Sequence, residues 1–210
     1  MKRNGAASAA TENPITEGVI WKQLLLFFFP ILFGTFFQQL YNTADAIVVG
    51  RFVGKEGLAA VGGSTSTVIN LIVNFFVGLS SGSTVIISQY YGARREKRVQ
   101  QAVHTSIAFS ILFGLVLTVV GIIFAPAALR AMDTPEDILP DSVLYFRIYC
   151  AGLIANLIYN MGAGILRAVG DSKRPLYFLI ASCFTNIVLD VLLVAGFSMG
   201  VAGAALATIA

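Results

Sequence analysis

Runs of apolar residues, most about 20 long, follow one another along this chain, and that is the length a helix needs to cross ~30 Å of hydrocarbon. They extend from about Val19 to Val49, Leu58 to Ile87, His104 to Ala125, Val143 to Leu166 and Leu176 to Phe197, and a sixth opens near Val201. A long soluble helix would carry a polar stripe at every turn, and these runs do not. Only 12% of the 210 residues are charged, against about a quarter in a soluble domain. That leaves too few charges to cover a water-facing surface. The expected fold is all-α, a polytopic membrane bundle of about six transmembrane helices.

The net charge of +3 and pI near 9.0 do not call for a nucleic acid, because Lys and Arg accumulate in the cytoplasmic loops of membrane proteins. Ten bases fall on one side: Lys2, Arg3 and Lys22, then Arg94, Arg95, Lys97 and Arg98, then Arg167, Lys173 and Arg174. The other side has Arg51, Lys55, Arg130 and Arg147, and also the acids Asp133, Glu136, Asp137 and Asp141. This alternation predicts an even span count and a cytoplasmic N-terminus in the cell membrane.

Residues 1–17 read as a disordered polar tail and 18–210 as the helical unit. The first run is of span length and has no A-x-A-like site after it, so an uncleaved helix is expected rather than a signal peptide. The sixth run holds about ten residues, which predicts a chain cut inside a helix. Cys150 and Cys183 lie within apolar runs, so neither a disulfide framework nor a metal cluster is expected. His104, the single histidine, is expected at an interface. Thr134-Pro135-Glu136 has the pattern of a helix start, and Gly78-xxx-Gly82 that of a close helix contact.

Chemistry is expected where polar groups sit inside the runs. Asp45 and Asp190 are the two carboxylates so placed, and an ionisable group in a span marks a functional site by default. Asn186 lies four residues before Asp190, on the same helix face. Asp190 precedes the Gly196–Gly200 turn by about as many residues as Thr208 follows it, so both fall ~12–15 Å below the turn. Asp45 lies at similar depth below the Arg51–Gly57 loop. These oxygens suit Na⁺, and two carboxylates in one dry pocket can instead hold a proton; the choice stays open. Pro30 interrupts the backbone ladder of the first helix and is a candidate hinge. Gln38, Gln39, Tyr41 and Asn42, with Asn70, Asn74, Asn156 and Asn160, suggest a polar cavity for a small molecule.

The sequence resembles the multidrug and toxic compound extrusion (MATE) transporters. The resemblance is carried by Pro30 with Asp45 fifteen positions later, by Gly164-Ile-Leu-Arg-Ala-Val-Gly-Asp-Ser-Lys-Arg-Pro175, by Asn186-xxx-Asp190, and by Gly200-Val-Ala-Gly-Ala-Ala-Leu-Ala-Thr208. It implies the N-terminal six-helix lobe of a twelve-helix transporter that is not an enzyme, with the C-terminal lobe as missing partner. It also implies a cation site at Asp45, Asn186, Asp190 and Thr208, with Na⁺ or H⁺ as coupling ion and no cofactor. The expected activity is antiport of small cationic or amphipathic compounds across the plasma membrane. Aspartate on both helix one and helix five is similar to the DNA-damage-inducible bacterial subgroup. A flippase for lipid-linked sugars would show several bases within the spans. An intramembrane aspartic protease would show a Gly-x-Gly-Asp context around a buried aspartate, and neither signature is present.

Overall fold

The computed structural model describes residues 20–210, all helical apart from short turns and with no strand among them; the expected tail lies outside these residues. The elements are α1 (Ile20–Phe52), α2 (Lys55–Gly62), α3 (Ser64–Gly92), α4 (Glu96–Ala131), α5 (Leu139–Ala168) and α6 (Lys173–Asp190), then a π-helical segment (Val191–Gly196) and α7 (Gly200–Ile209). Five units are long and apolar enough to cross a membrane: α1, α2 with α3, α4, α5, and α6 with its π segment; α7 is a shorter apolar helix of ten residues. The chain is a multi-pass membrane bundle, as the apolar runs require.

Two details depart from the sequence reading. The second run is divided at Gly63 rather than continuous. Gly62 and Gly63 lack Cβ atoms, and the Ser66 hydroxyl satisfies the loosened backbone, lying 2.7 Å from the Gly62 carbonyl and 2.9 Å from that of Gly63. α5 begins at Leu139 instead of near Pro135, with Pro140 in the first turn, where its missing N–H costs nothing. Residues 134–138 form the preceding turn.

Helix ends follow one device. After α3, α4 and α5 a residue turns to positive φ: Arg94 (54°), Asp133 (53°) and Gly170 (92°). In each case two N–H groups reach back to the last helical carbonyls, as in Gly170 to Arg167 at 3.0 Å and Asp171 to Leu166 at 2.8 Å. This is the paired bonding of a Schellman end. The next helix starts at once, because the Asp171 carboxylate accepts from the N–H groups of Lys173 and Arg174, both at 3.1 Å, and pairs with the Arg174 guanidinium at 3.1 Å.

Packing divides the bundle. α5 packs along α4 and α3, α1 packs on α6, and α7 bridges the two groups by packing on both α5 and α6. Small residues permit the closest approaches: a Cβ on Gly121 of α4 would stand 2.5 Å from the Cys150 sulfur of α5. There the Thr118 hydroxyl donates to the Cys150 carbonyl at 2.9 Å. Gly78 and Gly82 meet nothing within 4 Å, so their spacing makes no helix contact among the described residues. α1 packs on α2, α6, the π segment and α7, and not on α3, α4 or α5. The α1 and α5 backbones therefore stand apart, although Val48 and Val49 of α1 share a buried cluster with Tyr145 of α5.

Candidate cation site

Four elements meet where the site was expected. Val48 and Val49 of α1, Tyr145 of α5, Val194 of the π segment, and Val201, Ala204 and Ala205 of α7 form one buried cluster. Asp45 precedes Val48 by three residues, Asp190 precedes Val194 by four, and Thr208 follows Ala204 by four, so the cluster borders all three. Asp190 closes α6 and is 0% exposed, and Asn186, one turn earlier, is 8% exposed. Asp45 is half-buried on α1. Asp190 and Asp45 lie within electrostatic range of each other.

Tyr145 lies within electrostatic range of both carboxylates, and its hydroxyl lies near that of Thr208. The Thr208 hydroxyl in turn donates to the Ala204 carbonyl at 2.8 Å. The structure thus brings Asp45, Asn186, Asp190 and Thr208 into one neighbourhood and adds Tyr145. The sequence signal for Tyr145 was available, since Tyr145 and Tyr149 are spaced i, i+4 inside an apolar span.

The polar atoms here are unusually bare. Oδ1 of Asp45, both carboxylate oxygens of Asp190, and both Oδ1 and Nδ2 of Asn186 are buried without a hydrogen-bond partner. A buried polar atom left unpaired costs about 1–3 kcal/mol, and more if charged. Such a cluster of oxygens on several helices fits a hard cation that prefers oxygen ligands, and each free carboxylate oxygen equally fits a proton. No group of three His, Cys, Asp or Glu side chains that could hold a metal occurs among the described residues.

The π segment directly after Asp190 was not legible in the sequence. Its wider turn, seen in the Phe197 N–H to Leu192 carbonyl bond at 2.9 Å, displaces the helix register beside the carboxylate. Single π turns occur often at functional sites. Gly203 of α7 lies against it, with a Cβ position 3.1 Å from the Leu193 carbonyl carbon. This closeness lets α7 carry Thr208 toward Asp190.

The other expected residues have different surroundings. Gln38, Gln39 and Asn42 are exposed on α1, and Asn70 and Asn74 are exposed on α3. Tyr41 interacts with Gln38 and Asp45, and it lies within electrostatic range of Tyr149 and Tyr159 of α5. Asn160 spends its amide on Asn156, donating to Oδ1 at 2.7 Å and to the carbonyl at 2.9 Å, while Ser80 of α3 donates to the Asn160 carbonyl at 3.1 Å. The amide pair is thus satisfied within α5, and the bond to α3 is made by the Asn160 backbone. A cavity of about 180 Å³ between α5 and α6 is lined by Tyr159, Gly162, Ala163, Leu166, Pro175 and Phe178, with none of the amides. α1 continues through Pro30 without a break.

The MatE family model matches residues 30–192. The chain belongs to the MATE family. It is 36% identical over 194 residues to the probable multidrug resistance protein YoeA of Bacillus subtilis, covering 90% of this chain and 42% of that protein. Identity to the probable multidrug resistance protein YpnP of the same organism is 32% over 194 residues, with 92% of this chain and 43% of that protein covered. A crystal structure of a MATE protein in complex with MaD3S superposes with a TM-score of 0.84 at 31% identity, over 90% of this chain and 42% of that one. The chain thus spans less than half the length of the MATE relatives it matches. The match runs from Pro30 within α1 through the end of α6 and so includes Asp45, Asn186 and Asp190.

Proposed function

We propose that this chain forms the N-terminal six-helix lobe of a cation-coupled antiporter, of the subgroup with aspartate on both the first and fifth spans. The lobe works with a second one to export small cationic or amphipathic compounds across the plasma membrane, and its N-terminus is cytoplasmic. The observation that carries the reading is the set of unpartnered polar atoms on buried Asp190 and Asn186 and on Oδ1 of half-buried Asp45. A pair kept only for structure would be expected to have a base or donors beside it, because unpaired buried charge is costly.

The reading gives each group a task. Asp190 and Asp45 take the cation or proton, Asn186 supplies a neutral oxygen, and the Tyr145–Thr208 contact ties α5 and α7 to the loaded site. Loading removes the mutual repulsion of two carboxylates and draws α1 toward α6 and α7. Because Gln38, Tyr41 and Asn42 stand on the same helix as Asp45, movement of α1 at the site also moves the face that carries them. Those residues are the proposed contacts for the exported compound, and Pro30 is the proposed flexing point within α1. Parallel repeats rocking against one another need the second lobe.

The test is efflux of a cationic dye from proteoliposomes holding the full-length protein, driven by an imposed Na⁺ or H⁺ gradient and normalised to inserted protein. Asp45→Asn and Asp190→Asn should each abolish gradient-driven efflux, and Asn186→Ala and Thr208→Ala should weaken it. Near-normal normalised efflux in both aspartate variants would refute the reading.

A further inference from the structure

Pro126 lies inside α4, and a proline offers no N–H to the carbonyl four residues earlier. That carbonyl belongs to Ile122. The Arg147 guanidinium of α5 supplies the missing donor, with Nε 3.2 Å from the Ile122 oxygen. One of five guanidinium N–H groups is thereby fixed, and the two terminal nitrogens are left on an exposed side chain. No carboxylate lies within ion-pair distance of Arg147 among the described residues. A half-anchored, unpaired arginine on the outside of a membrane bundle needs a partner from the membrane.

The position of this arginine tells what the partner is. α5 starts at the α4–α5 turn, and side chains lean toward the start of their own helix, so Arg147 leans toward the membrane face where that turn lies. Its guanidinium sits at the level of Pro126, four residues or ~6 Å below Arg130. That places it about two turns from the start of α5, in the end of the span nearer the α4–α5 turn. Above it stand the acids of the turn, among them Glu136, whose side chain is 82% exposed and held only by a 3.9 Å approach to Arg130. Below it, on the same edge of α4, Val119 and Val116 expose 51% and 49% of their surface. From the membrane centre outward the edge reads apolar, then cationic at Arg147 and Arg130, then anionic at Glu136, whose approach to Arg130 is long at 3.9 Å.

We propose that this edge binds a zwitterionic phospholipid, with the phosphodiester on the Arg147 fork, the headgroup ammonium on Glu136, and an acyl chain along Val119 and Val116. A lipid of net negative charge fits less well, because its headgroup would face Glu136 and the other acids of the turn, Asp133, Asp137 and Asp141. The site lies on α4 and α5, away from Asp45 and Asp190, and does not depend on the transport reading.

Phosphatidylethanolamine and phosphatidylglycerol titrated onto the full-length protein in detergent, with bound lipid counted by native mass spectrometry, test this. Wild type should bind phosphatidylethanolamine more tightly than phosphatidylglycerol. Arg147→Gln should weaken phosphatidylethanolamine binding by roughly tenfold, the scale of one charge-assisted hydrogen-bonding partner. Arg147→Gln also strips the Ile122 carbonyl, so its effect on folding must be separated. In Pro126→Ala the backbone N–H returns to Ile122, and the Pro126→Ala/Arg147→Gln double variant should melt like Pro126→Ala yet still bind lipid weakly. Glu136→Gln, on an exposed side chain, should lower the preference for phosphatidylethanolamine. Unchanged phosphatidylethanolamine affinity in the double variant, or phosphatidylglycerol binding as tightly as phosphatidylethanolamine in wild type, would overturn the proposal.

Discussion

Asp190→Asn should make the protein more stable and unable to couple. The carboxylate is 0% exposed, and neither oxygen has a hydrogen-bond partner. The asparagine side chain has nearly the same shape, so no cavity forms. What changes is the charge, and removing a buried acid from a span saves up to about 3 kcal/mol on insertion scales. The repulsion from Asp45 is relieved as well. Against this, the amide must find a partner, and a bare polar group costs about 1–3 kcal/mol. The net expectation is a gain of roughly 1 kcal/mol in cation-free buffer, or at worst no loss. A second readout separates site from scaffold. A cation that binds only the folded state adds RT ln(1 + [L]/Kd) to stability, so wild type should gain stability with the coupling ion and Asp190→Asn should not. Unfolding in mixed micelles, with and without Na⁺ and at two pH values, measures both. A variant that is clearly destabilised, still responds to the ion, and exports normally per inserted molecule would show that Asp190 is a structural residue.

Three further outcomes follow from the geometry. Tyr145→Phe keeps the ring in its buried cluster and removes the hydroxyl that reaches Thr208, so stability should fall by about 1 kcal/mol or less while gradient-driven efflux drops several-fold; unchanged efflux would remove Tyr145 from the site. Gly164→Ala puts a Cβ 2.5 Å from the Ser80 hydroxyl and 2.7 Å from that of Thr84, and should cost about 1–3 kcal/mol by overpacking, part of it recovered by Ser80→Ala; a neutral Gly164→Ala would mean α3 and α5 can slide apart freely. Single cysteines at Arg95 and at Glu136 should react with an impermeant thiol reagent from the cytoplasmic and outer sides respectively, and the reverse labelling would invert the orientation.

The architecture was legible because a bilayer leaves a sequence few choices. Backbone groups in lipid must be satisfied within a helix, so each long apolar run had one outcome, and the helical stretches Leu24–Phe52 and Lys173–Gly196 are long and apolar enough to cross. Asp45, Asn186, Asp190 and Thr208 were legible for the same reason, since a polar side chain in such a run is costly enough to need a purpose. Interruptions within the runs were harder to read. Gly63 divides α2 from α3 and the π turn follows Asp190, yet neither changes the apolar pattern. Ser66 bonds back across the Gly63 break locally, as a serine does in an unbroken helix too, and the π segment has a tertiary neighbour in Gly203 of α7.

The amides show the limit from the other side. Asn156 and Asn160 had the same i, i+4 spacing as Asn186 and Asp190, but the first pair satisfies itself and the second is left bare. Spacing puts two groups on one face and says nothing of what the neighbouring helix brings to them. α3 brings Ser80 to the carbonyl of Asn160. α1 brings a second acid to Asp190, which cannot satisfy it unless a cation or proton comes between. The difference between glue and site is therefore a property of the facing helix, and in this bundle it is decided by where α1 lies against α6.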